Sequence, residues 1–395
     1  MIERVFKAGP FKGVAESDAF ARAALQQSAV TVEVGPVPWP AGLGPVPAPL
    51  GNYRAGESIL TAVRAPADVL IVLYTNAETS ALLDVLTGSN AWTPARKKTW
   101  NGYGHNFAQF KPIIDGIEGD PALENGLFGY LSALRIGTKN VVLFKSELHP
   151  KQNGTGLPFV RVLAQLIDEL QPGLVISTGT AGAIGSTLRC GDVAITSAAR
   201  FHVASTYPDD PQINTLSATQ TELSNSPAID PAQIAYAAEN FTKLSLDGLA
   251  KCYTALQRLP GYGFVQPNAA APSIYVTGNN PVPGPQPMAI VTADYLTVDD
   301  SSDAEGLQPL GIMNDTDDAF AFYAIGTLSG TKPAWLSVRN ASEPQIVAPP
   351  FAPGTPASEE IDKLKAIAGS IYGIYQYCTT LNSAFACWGV VAGMP

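Results

Sequence analysis

The chain is expected to fold as a three-layer α/β sandwich around a central mixed, largely parallel sheet, and three observations carry that expectation. Apolar runs of strand length alternate with runs of helix length along most of the sequence, which is how strands come to be covered on both faces. The run over 68–74 is apolar after its first residue instead of alternating, as a doubly covered strand requires. Finally, the stretch 174–196 packs two strand-like runs around a glycine loop, leaving no room for a helix between them.

Taken in order, residues 1–65 are rich in proline and glycine between Pro36 and Pro49 and carry one helix-like run, 16–27. They read as an N-terminal extension that wraps a core formed by residues 66–395. The core opens on the strand at 68–74 and a helix over 77–86. A loop-rich, aromatic segment at 90–110 leads to a strand at 140–144. The turn Gly154-Thr-Gly156 precedes a helix over 159–170, whose apolar residues recur at helical spacing. Residues 207–287 are long, polar and punctuated by proline, with one helical patch at 231–259. Strands at 288–292 and 334–338 flank a helix at 318–328, and 359–391 reads as a long terminal helix.

The glycine loop is not a phosphate cradle. Gly179, Gly182 and Gly185 follow an apolar run, but a dinucleotide loop opens directly into a helix whose amides hold the pyrophosphate. Here the β-branched run Val193–Thr196 comes next, and neither GxGxxG nor Gly-Lys-Ser/Thr is present. Such glycines serve either a tight crossing of backbone or a flat ligand lying against Thr180, Ala181 and Gly182.

Composition narrows the function. A net charge of −10, with Arg96-Lys-Lys98 as the longest basic run, speaks against a nucleic-acid partner. No span reaches the roughly 20 apolar residues of a membrane helix, and the first residues lack the apolar run of a secretory signal. Cys190, Cys252, Cys378 and Cys387 have no metal-ligand spacing, and three scattered histidines offer little to a zinc ion. A cytoplasmic protein without metal or organic cofactor is expected.

The order of motifs resembles the nucleoside phosphorylase and nucleosidase superfamily, most of all the 5′-methylthioadenosine/S-adenosylhomocysteine nucleosidases. The resemblance lies in the Gly-x-Gly turn, the strand ending Thr178-Gly-Thr-Ala-Gly182, the Gly191-Asp192 strand and Ala199-Arg-Phe-His202. It implies a homo-oligomer, dimer or trimer, and makes 207–287 an insertion. Cutting an N-glycosidic bond needs an acid at the leaving base, groups that hold the ribose, and a nucleophile on the opposite face. The family's Arg-x-x-Ser-Asp motif resembles Arg339-Asn-Ala-Ser-Glu343, which implies that Ser342 orients an acid at Glu343, one methylene longer than the usual Asp. For the ribose, the family's Met-Glu pair has two registrations on Met313-Asn-Asp-Thr-Asp-Asp318. The preferred one places Asp318 there, with Asn314 and Asp315 as alternatives; capping of the following helix explains some of these acids.

The nucleophile divides the family. Phosphorylases carry an arginine at the position of Ser177, whereas nucleosidases hold water with a glutamate after the first strand, where Glu78 stands. A neutral Ser177 cannot balance a phosphate dianion, and Glu78 repels one. Base stacking falls on Leu296, with Tyr295 beside it, and Phe201, His202 and Tyr207 are candidates for the 5′ side of the ribose. The resemblance thus implies hydrolysis of a purine nucleoside or thionucleoside. Two other readings stay open: a phosphorolytic relative, and a nucleoside-binding protein without turnover.

Overall fold

The computed structural model describes residues 34, 36–51, 53–61, 67–88, 99–115, 121–150, 156–184, 188, 190–203, 206–224, 229–239, 272–276, 288–293, 307–343 and 357–395. Among them one mixed sheet contains thirteen strands. In chain order these are β1 (Pro45–Ala48), β2 (Val69–Leu73), β3 (Asn101–Tyr103), β4 (Gly129–Ile136), β5 (Lys139–Ser146), β6 (Leu174–Ala183) and β7 (Val193–Thr196). There follow β8 (Ala198–Phe201), β9 (Glu222–Ser224), β10 (Ile274–Val276), β11 (Ile290–Thr292), β12 (Met313–Asp315) and β13 (Ala334–Glu343). The centre is parallel, β5–β2–β6–β13, and the flanks are largely antiparallel.

The helices are α1 (Asn76–Thr87), α2 (Phe107–Ile114), α3 (Pro121–Asn125), α4 (Gly156–Leu170), α5 (Pro211–Thr219), α6 (Asp318–Gly326) and α7 (Ala357–Ala392). Strand β2 shows why there are three layers. Val69, Ile71 and Leu73 pack with Leu82 and Leu86 of α1 and with Phe385 and Trp388 of α7. Leu70 and Val72 turn the other way, towards Phe159 and Leu163 of α4 and Phe320 of α6. Each such side chain, fully buried, contributes about 1.5–3 kcal/mol, so a continuously apolar strand is held from both sides.

The structure adds elements to the sequence reading. Strand β4 forms a hairpin with β5, closed by a turn in which Gly137 takes a φ of 59°. The loop-rich segment contains β3 and the start of α2, and the polar segment after 207 contains α5, β9, helical residues 231–239 and β10. The helix expected at 16–27, the remainder of the patch at 240–259 and Cys252 lie outside the described residues. Of the first 65 residues, β1 joins the sheet beside β4, and Trp39 packs on Trp388 with ring centroids 4.8 Å apart. No helix among the described residues is long and apolar enough to cross a membrane.

The sheet forks at β6. On one edge β13 accompanies it throughout, from Leu174 to Gly182. On the other edge β2 pairs only as far as Ser177, and β12 arrives, antiparallel, only at Gly182 and Ala183. Residues 178–181 therefore face a gap between two strands that diverge.

Candidate active site

Glu78 fills the gap. Thr75 caps α1 in a reciprocal capping box with Glu78, whose Oε2 accepts the Thr75 amide at 2.8 Å and the Tyr74 amide at 3.3 Å. Its Oε1 crosses to β6 and accepts the Thr180 amide at 2.8 Å and the Thr180 hydroxyl at 3.0 Å. The carboxylate, buried with four donors, thus takes the place of a missing strand partner.

That approach explains the glycine at 179. It has a φ of 152°, and a Cβ there would lie 2.3 Å from Glu78 Oε1. The close approach of Glu78 is enough to require a residue without a side chain here. Replacing Gly179 with alanine is expected to cost about 1–3 kcal/mol, the range for overpacking. Gly173→Ala is the control, because its Cβ would meet nothing nearer than 3.5 Å. Equal urea midpoints for the two variants would refute this account.

Beneath Glu78 lies a cluster of charge. Arg339, only 1% exposed, donates Nη1 to the Thr180 carbonyl at 2.9 Å and both Nε and Nη2 to Asp318. Its Nη2 also reaches Asp317 at 3.2 Å and Asp315 at 3.3 Å. Asp318 is fully buried, and besides Arg339 it accepts the hydroxyls of Ser177 and Ser337. Ser177 in turn shares a hydrogen bond of 2.8 Å with the Tyr74 hydroxyl. The guanidinium lies over the Tyr74 ring, 5.1 Å from its centroid.

One cation among three carboxylates sets the protonation of the cluster. Burial, then Asp318, pushes the Asp315 carboxyl well above the usual range, while Arg339 pulls it back down. Burial tends to lower the Arg339 guanidinium, but the three aspartates more than offset it and hold its charge. Burial, followed by Asp318 and Asp317, raises the Tyr74 phenol and keeps it protonated.

The structure brings some expected residues together and separates others. Gly182 sits between Asn314 on β12 and Glu343 on β13. Strand β13 bulges there: Ala341 pairs with Ala181 but Glu343 with Gly182, so Ser342 is the inserted residue, the kind of kink that re-aims side chains beside active sites. Ser342 is buried, and its hydroxyl has no hydrogen-bond partner among the described residues. Asn314 spends its amide on the Val291 carbonyl at 3.0 Å.

Asp318, preferred for the ribose from sequence, is turned inward to Arg339 and two serines. Asp315, at the end of β12, accepts the Asp318 amide at the start of α6 at 2.9 Å. Phe201, a candidate for the 5′ side, is wholly buried against Phe320, its ring 5.0 Å away, because strand alternation points it under α6. Tyr207 joins the same aromatic group, and His202 donates its amide to the Thr292 carbonyl. Leu296 and Tyr295 lie outside the described residues, as does the side chain of Glu343. Sequence reasoning gave Tyr74 no role and read Asp317 only as an acid capping the following helix; both reach the site through tertiary contacts, with Ser177 and with Arg339. Among the described residues no group of three His, Cys, Asp or Glu side chains is arranged to hold a metal ion.

A family model described as the phosphorylase superfamily matches residues 102–296. No curated protein matches the chain. Among solved structures, the chain is similar to 5′-methylthioadenosine/S-adenosylhomocysteine nucleosidase of Neisseria meningitidis, at 14% identity and a TM-score of 0.42, with 83% of this chain and 100% of that one covered. It is likewise similar to 5′-methylthioadenosine nucleosidase of Arabidopsis thaliana, at 14% identity and a TM-score of 0.40, covering 84% and 98%. Futalosine hydrolase of Helicobacter pylori gives 10% identity and a TM-score of 0.41, covering 82% and 97%.

Proposed function

Since residues 102–296 match the phosphorylase superfamily, we propose that the chain is a nucleosidase that hydrolyses the N-glycosidic bond of a purine nucleoside or thionucleoside. One observation carries the choice of water over phosphate. The carboxylate of Glu78 occupies the open edge of β6, and the charge of Arg339 is already spent on Asp318, Asp317 and Asp315. A phosphate dianion entering there meets net negative charge, whereas a water molecule meets a base and the Thr180 hydroxyl.

In this reading Glu78 takes a proton from the attacking water as its oxygen bonds to the sugar's anomeric carbon. The bond from that carbon to the base breaks, and Glu343 supplies a proton to the departing nitrogen heterocycle. The base lies along Ala181, Gly182 and Asn314, where small side chains and backbone form the wall, and the Ser342 hydroxyl is at hand to orient the acid. Asp318 is a positioning residue: it fixes Arg339, which holds the Thr180 carbonyl while Glu78 holds the Thr180 amide. Following the same resemblance, the protein is a cytoplasmic homo-oligomer.

The test is incubation with a panel of purine nucleosides and 5′-thionucleosides, with and without phosphate. Free sugar and free base are expected at equal rates in both arms, and Glu343→Gln is expected to lower turnover about 10²–10⁴-fold, the usual share of a general acid. Sugar 1-phosphate formed only with phosphate present would establish phosphorolysis instead. Tight binding without any cleavage would mark a binding protein.

A further inference from the structure

Helix α7 covers the sheet on the side opposite to α6, and much of its contact is apolar: Leu381, Phe385 and Trp388 share one buried cluster with Ile176 and Val338. At one place it is polar. Thr379, Asn382 and Ser383, three to four residues apart and so on one face of the helix, are fully buried and bond to β13 and to the segment before β7. The Asn340 amide is used at both ends: its Nδ2 donates to the Thr379 hydroxyl at 2.7 Å, and its Oδ1 accepts the Ser383 hydroxyl at 2.9 Å. Asn382 donates its Nδ2 to the Gly191 carbonyl at 2.7 Å. Gly191 gives its own amide to the Ala341 carbonyl at 2.7 Å, and the Ala341 amide donates to the Asp192 carbonyl at 2.8 Å. One face of α7 thus grips β13 directly at Asn340 and, through Gly191, at Ala341.

We propose that Asn340, clamped by Thr379 and Ser383, is a positioning residue for the proton donor: it fixes the bulge of β13 and with it the place of Glu343 beside the leaving base. The inference deepens the nucleosidase reading and rests on it. A buried polar contact of this kind stabilises a fold little more than an apolar one of the same shape. What it adds is position, because each polar atom is tied to its partner and does not slide. The location of the clamp gives that position a use. Pairing with β7 ends at Asn340, and the bulge at Ser342 follows two residues later. The Ser342 hydroxyl has no partner among the described residues, so the two residues before the bulge carry the hold on that side of the strand. A general acid acts within roughly 2.6–3.2 Å of the atom it protonates, and a displacement of about 1 Å is enough to remove most of its effect. Glu78, which hangs on α1 and β6, is untouched by such a shift.

The experiment exchanges the polar contact for an apolar one. Asn340→Leu, Thr379→Val and Ser383→Ala are made singly and together; in the triple variant the three polar side chains leave at once, which avoids the stranded partner of a single change. Urea denaturation identifies any variant that misfolds. Each is assayed on a purine nucleoside, whose base needs a proton to depart, and on two substrates whose leaving groups need none, a 4-nitrophenyl riboside and the 7-methylated purine nucleoside. The triple variant is expected to lose about ten- to a hundredfold in kcat on the purine nucleoside with KM little changed, and less than about threefold on the activated substrates. Glu343→Gln is the reference and is expected to show the same split. Equal losses of the triple variant on all substrates, or no loss on any, overturn the inference, while a split kept by Glu343→Gln leaves the nucleosidase reading standing. Absence of turnover by wild type on all three, or an equal loss of Glu343→Gln on each, overturns both.

Discussion

Replacing Arg339 with leucine is expected to destabilise the protein by about 3–5 kcal/mol, the cost of stranding a buried charge whose partner has been removed. Domains of ordinary stability have only about 5–15 kcal/mol to lose, so the variant approaches unfolding. The arithmetic is unusually one-sided here. Arg339 meets three carboxylates, and its removal leaves Asp318 wholly buried with only two serine hydroxyls and Asp317 with its threonine and a distant histidine. Lysine is not a remedy, because the guanidinium bonds through three nitrogens at once, Nη1 to the Thr180 carbonyl and both Nε and Nη2 to Asp318, which a single ammonium does not reproduce. Urea denaturation of Arg339→Leu, Asp318→Asn and the double variant gives the coupling directly. Strictly additive losses would mean that the pair is not the keystone described above.

The second large effect falls on Glu78. Glutamine there is expected to reduce turnover about 10²–10⁴-fold, as loss of a general base does, and to destabilise the fold as well by about 1–3 kcal/mol. The added loss follows from hydrogen-bond polarity. Oε1 receives an N–H and an O–H from Thr180, while Oε2 receives two backbone N–H groups from Tyr74 and Thr75. A glutamine, whichever way its amide is turned, aims an NH₂ group at a backbone amide. The exchange that is usually called isosteric is thus a clash of donors in this setting. A Glu78→Gln protein that matches wild type in chemical denaturation would show that these bonds are not formed in solution.

The parallel core was legible in the sequence because its strands are apolar on both faces and of the right length. The β4–β5 hairpin was not, since 129–136 is covered unevenly and its turn, Gly137-Thr138, is weaker than the Asn-Gly pairs that announce such loops. Glu78 was singled out in the sequence as the water-holding residue that the resemblance implies; its capping box with Thr75 and its crossing to Thr180 were not foreseen, because the crossing depends on β6 lying beside the start of α1. Arg339 was misleading. The resemblance makes Arg339, as the first residue of the Arg339–Glu343 motif, a candidate for binding substrate, but alternation along β13 puts it on the same face as Ser337, under α6, where Asp315, Asp317 and Asp318 converge. No local pattern reveals that convergence, because it depends on β12 and α6 packing beside β6. For Phe201 the sequence left open whether it lines the site or packs in the core, because its aromatic partners, Phe320 and Tyr323, lie more than a hundred residues away.

The fork of the sheet at β6 gives the protein an internal reporter. In the middle of a strand, amide protons are normally locked by a neighbouring strand and exchange with solvent only when the whole sheet opens. The Thr180 amide is locked by a side chain instead, and so its exchange is governed by the rotation of one carboxylate. Anything that draws Glu78 away from Thr180 releases that single proton while its neighbours along β6 stay protected. The isotope signal of one residue therefore separates an engaged site from an idle one without any knowledge of the ligand.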